Sequence, residues 1–77
     1  MNALQAIALS GKGMGWEIEA IRKTSADEYV VLVKREHSPI PGKQYSTHKF
    51  STANNSFYYG HYDMDLATAT KSFEERA

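Results

Sequence analysis

His48, His61 and Asp63 are the residues best suited to hold a divalent metal, because two imidazoles and a carboxylate form a known ligand set. A two-residue hairpin turn at Asn54-Asn55 would set His48 opposite His61, with Asp63 one step along the same face. Against that reading, three histidines in 77 residues are ordinary, and Asp63 and Asp65 supply the oxygens that open a helix. No metal site and no cofactor are assigned. Glu17 and Glu19 share one face of an alternating strand, where carboxylates normally form the solvated side rather than an acid–base pair. The glycines of Ser10 to Gly15 lack the Gly-Lys-Ser/Thr order of a phosphate loop and lead into a strand, so they read as a turn. Serines, histidines and aspartates occur without a nucleophile elbow. A sheet of this size also has little interior for a catalytic pocket. The chain is expected not to be an enzyme.

Rings and bases offer more. In the register set by Asn54-Asn55, Tyr45, Lys49, Tyr58 and Tyr62 share one sheet face, with Gly60 as a gap, and Lys34 and Arg35 stand nearby. Tyrosine suits protein interfaces, where its large area orders at low entropy cost. The same rings with Lys34, Arg35 and Lys49 resemble the sheet platforms that stack single-stranded bases. The first reading is a non-enzymatic accessory or regulatory factor that binds a protein, either another protein or a second copy of this chain. The runner-up is a single-stranded nucleic-acid-binding module using the same face.

Charge favours the first. Nine basic and nine acidic residues cancel, whereas a general nucleic-acid binder usually carries a basic excess. A neutral chain also lacks the self-repulsion that opposes association. The charges are uneven: Lys34, Arg35, Lys43 and Lys49 face one acid, Glu36, while four acids and two bases follow from Asp63 onward. Cysteine is absent, which removes disulfides and thiolate metal sites and fits a reducing, cytoplasmic setting. No secretory leader is expected, and no apolar run approaches the length that spans a bilayer.

These residues need elements to hold them. Phe57 to Tyr62 reads as a strand, since flat rings pack well on a pleated surface. Asp63 and Asp65 then cap a helix whose Leu66, Ala69, Thr70 and Phe73 recur at i, i+3, i+4 and i+7. Residues 2–9 form a short helix capped by Asn2, or else an edge strand; helix is the reading adopted. Trp16, Ile18 and Ala20 alternate with glutamates in a half-buried strand. Tyr29 to Val33 is nearly continuous and β-branched, so it is the central strand, covered on both faces, with the N-terminal segment as the second cover. His37 to Gly42, with two prolines in three residues, is a stiff loop, and the binding face lies near Pro39–Pro41. Tyr45 to Ser51 is the next strand. The register pairs Thr52 with Phe57, Phe50 with Tyr59, His48 with His61 and Tyr45 with Met64. Phe50–Tyr59 then marks the core side and leaves the tyrosine face open, although a one-residue slip would exchange the faces.

The C-terminal half, YSTHKF…FYYGHYDMDLATATKSFEERA, resembles short uncharacterised accessory proteins of phages and prophages of Gram-positive bacteria. In these an aromatic–Gly–His/Tyr strand precedes a helix patterned Ala-x-x-x-Phe-x-x-Arg, matched by Ala69, Phe73 and Arg76. The resemblance covers about the last 33 residues and implies a mobile-element factor that inhibits a host protein; it carries over no catalytic residue. The double-stranded RNA-binding domain shares the helix–strands–helix order. Its basic last-helix start is replaced here by Asp63-Met64-Asp65-Leu66. The expected architecture is α+β within one domain, residues 1–77: three or four antiparallel strands packed by the C-terminal helix.

Overall fold

Four consecutive β-branched or aliphatic residues, Val30 to Val33, are all buried, and that run organises the molecule. Such a strand must be covered on both sides. A computed structural model describes residues 2–35 and 40–76. Its elements run α1 (Ala3–Gly13), β1 (Trp16–Ser25), β2 (Glu28–Arg35), β3 (Tyr45–Ser51), β4 (Ser56–Met64) and α2 (Leu66–Glu75). The strands form one antiparallel sheet in the order β1-β2-β3-β4. One helix packs on each face, so the fold is α+β. No described helix is long and apolar enough to cross a membrane. Of the loop from His37 to Gly42, His37 to Pro39 lie outside the described residues, as does Glu36 before it.

The N-terminal segment is the helix. Asn2 accepts from the Gln5 amide while the Gln5 side chain accepts from the Asn2 amide, a reciprocal capping box. The helix is longer than residues 2–9 and runs to Gly13, with Gly11 in its last turn. Gly11 lets the helix approach β1, since a Cβ there would lie 2.7 Å from Ile18 Cδ1. Ala6 and Ile7 of α1 join Val31, Val33 and Phe50 in the core, flanked by Trp16, Ile18, Ile21, Tyr29 and Phe57. On the other side, Asp65 caps α2 by accepting from the Thr68 amide at 2.7 Å. Ala69 is buried there, while Ser72 and Phe73 are half-buried. Leu66, expected on the packed face, is 51% exposed; the docked stripe continues through Ser72 and Arg76, which hydrogen-bond to β3.

Three expectations of register are corrected, each by a bulge or a longer turn. In β1 an irregularity between Ile18 and Ala20 inserts one extra residue. The core face therefore passes from Ile18 to Ile21, and Ala20 moves to the α2 side opposite Leu32. The β3–β4 turn spans Thr52 to Asn55 rather than two residues, because Thr52 is drawn away from the hairpin. Its amide and hydroxyl both donate to Asp27 O in the β1–β2 turn. Ser51 thus faces Ser56, and Phe50 faces Phe57 rather than Tyr59. Two further irregularities in the β3–β4 ladder accompany left-handed backbone at Tyr59 (φ 49°) and Asp63 (φ 57°). They restore the expected Tyr45–Met64 pair but place His61 opposite Thr47, not His48.

Candidate functional site

His48 lies on the same side of β3 as Phe50, the side expected to face the core. The register expected from the sequence sets it opposite His61, but His61 pairs with Thr47 instead, and His48 is only 1% exposed. Trp16 stacks on its ring at 4.3 Å, and Phe57 and Tyr62 meet it edge-on at 5.9 and 5.0 Å. Its Nε2 lies 2.9 Å from Ser46 Oγ. Burial lowers its pKa from 6.5 to about 4, and the neighbouring Arg76, Arg35 and His61 act the same way. A neutral, enclosed imidazole with no second histidine opposite it is a packing residue. Among the described residues, no group of three His, Cys, Asp or Glu side chains is placed to hold a metal.

Around that ring lies an aromatic surface. Tyr62 is 50% exposed, and Arg35 Cζ sits 4.9 Å above its ring centroid. The Arg35 guanidinium also reaches Asp63, with Nη1 3.8 Å from Oδ1. Trp16 and Phe57, both half-buried, meet edge-on at 5.1 Å. Gly60 is required here. A Cβ on it would stand 2.7 Å from the Tyr62 ring and 2.8 Å from His48 Nδ1.

The six residues singled out from the sequence therefore divide between two faces. Tyr62 and Arg35 belong to the α1 side, together with Trp16 and Phe57. Tyr45, Lys49, Tyr58 and Lys34 belong to the α2 side, joined by the pairs Lys34–Tyr45 and Lys49–Tyr58. That second face is not an open platform. Thr47, between Tyr45 and Lys49 along the same row, bonds to Ser72 Oγ at 3.0 Å and accepts from Arg76 Nη1 at 3.1 Å. Tyr45, Lys49 and Tyr58 are half-buried, and the Tyr58 hydroxyl donates to the Glu28 carboxylate.

At the β4 end of the α2 face, a shallow depression of about 430 Å³ is lined by Lys49, Tyr59, Gly60, His61 and Arg76. Its arginine is held from three sides. Nη1 donates to Thr47 O and Oγ1, both at 3.1 Å, and Nη2 donates to Tyr59 O. Partial burial lowers the Arg76 pKa from its ordinary value, but a guanidinium stays charged near neutrality. Tyr59, the bulge residue, is 72% exposed, and its ring lies 5.1 Å from that of Tyr58. Of this group the sequence reading named only Lys49 as a binding residue. The available signal was Gly60, since a glycine inside a strand pattern points to a bulge and re-aimed side chains.

No family model matches this chain, and neither the curated proteins nor the solved structures provide a match. The site is therefore read from its own geometry.

Proposed function

We propose that this chain is a non-enzymatic binding factor that docks a protein partner on the aromatic surface of Trp16, Phe57, Tyr62 and Arg35. The observation that carries the reading is this cluster on the α1 side of the sheet, with Tyr62 half exposed beneath the Arg35 guanidinium. Tryptophan, tyrosine and arginine are the residue types that dominate binding energy at protein interfaces. The surface is held rigid from below by the enclosed His48 ring, so little ordering entropy is lost on docking. A balanced charge neither steers the molecule to phosphate backbones nor keeps copies apart. The resemblance of the C-terminal half to phage and prophage accessory proteins supports a host protein as the partner, with inhibition as the outcome.

The test replaces Tyr62 with Ser and Arg35 with Gln together. Tyr62 is half exposed and Arg35 half-buried, so the melting transition is recorded first and association is compared in the folded variant. Recovery of a specific protein from host extract, quantified for wild type and variant, and self-association by sedimentation are then compared. Loss of either association in the folded variant supports the reading. Equal association by both proteins, or none by wild type, refutes it.

A further inference from the structure

The depression on the opposite face has a chemistry of its own. Its lining places Lys49, His61 and Arg76 around Gly60 and contains no carboxylate. The arginine is already fixed by its bonds to Thr47 and Tyr59, so it can meet an anion without first being ordered. Among the described residues neither Lys49 nor Arg76 has an acidic partner; the ion pair found is Arg35–Asp63, which involves the other face. Beside the cations stands the Tyr59 ring, which the β4 bulge turns outward. A volume of about 430 Å³ lies within the roughly 300–1,000 Å³ typical of small-molecule sites. Cations fit a phosphate, and an exposed ring fits a flat base, since every base presents a π-face for stacking.

We propose that this depression binds a nucleotide, with the phosphate on Lys49 and Arg76, His61 donating a hydrogen bond, and the base stacked on Tyr59. The free nucleotide and a nucleotide within a single strand share this chemistry. The site is independent of the aromatic surface on the α1 side, so a failure of one reading leaves the other standing.

Amide and imidazole NMR shifts are followed during titration with AMP, adenosine, inorganic phosphate and a short oligothymidylate at fixed ionic strength. AMP should move Lys49, Tyr59, Gly60, His61 and Arg76 and bind roughly tenfold or more tighter than adenosine or phosphate alone. Two variants separate the parts. Lys49→Gln keeps a long polar side chain and should weaken both AMP and phosphate. Tyr59→Asn suits the positive φ and should weaken AMP roughly tenfold while leaving phosphate unchanged. Binding of the oligonucleotide at these residues more tightly than AMP assigns the site to single strands. Binding of AMP without the oligonucleotide assigns it to free nucleotides, and both outcomes support the site. Equal affinity for AMP and phosphate, shifts elsewhere on the surface, or unchanged AMP affinity in both variants overturns it.

Discussion

Acid should unfold this protein through one residue, His48. The folded chain holds that imidazole neutral, with a pKa lowered to about 4, whereas the unfolded chain returns it to 6.5. Because the folded pKa is depressed, the unfolded state binds the extra proton first. The stability that His48 contributes is complete above pH 6.5 and is lost as pH falls toward 4. Each unit of pH in that window is worth about 1.4 kcal/mol. The loss is therefore about 2 kcal/mol at pH 5 and about 3 kcal/mol at pH 4. A domain of this size holds only roughly 3–5 kcal/mol in reserve, so wild type should be close to unfolded at pH 4. Asp65 acts in the same direction but lower: its pKa is held below 3.8 by the Thr68 amide, so its contribution is lost only under more acidic conditions. The comparison is with His48→Phe, which keeps a ring against Trp16 but cannot titrate. Urea unfolding followed by fluorescence of the single tryptophan, from about pH 7.5 to about pH 5, gives both stability curves. The absolute stability of the variant will differ because Ser46 loses its partner, yet its slope should be flatter by about 2 kcal/mol across that range. Parallel curves would refute the account of a buried neutral imidazole.

Phe50→Ala removes the largest fully buried side chain and should cost about 3–5 kcal/mol, leaving no cooperative melt at room temperature by far-UV circular dichroism. Phe73→Ala, by contrast, should cost less in the same assay, because that ring is only half-buried beside Arg22, whose Cζ is 5.7 Å away. Gly60→Ala drives a methyl against His48 and Tyr62 and should lower stability by about 1–3 kcal/mol; an unshifted melting temperature would show that the two rings yield freely. Asp65→Ala strips the α2 cap and should cost about 0.5–2 kcal/mol, read as loss of helical ellipticity before the main transition.

The types of element were legible because their signals are local. Asn2 with Gln5 and Asp65 with Thr68 are cap geometries that neighbouring residues complete by themselves. The Val30 to Val33 run could only be a strand covered on both sides, and α1 and α2 supply the two covers. What the sequence could not determine was register, and with it the composition of each face. A bulge inserts one residue and reverses every side chain beyond it. Whether one forms depends on the partner strands, and the length of a turn depends on distant contacts, as when Asp27 draws Thr52 out of the β3–β4 hairpin. Of the row named from the sequence, Tyr45, Lys49 and Tyr58 do share one face, half-buried under α2, while Tyr62 stands on the other. Tyr62 joined Arg35 and the His48 ring, while Lys49 joined Tyr59, His61 and Arg76. His48 stayed on the side of Phe50, as the alternation along β3 required, but lost its expected partner His61 to Thr47. Local chemistry sets whether a segment is helix or strand, but only long-range pairing decides which side of the strand each residue faces.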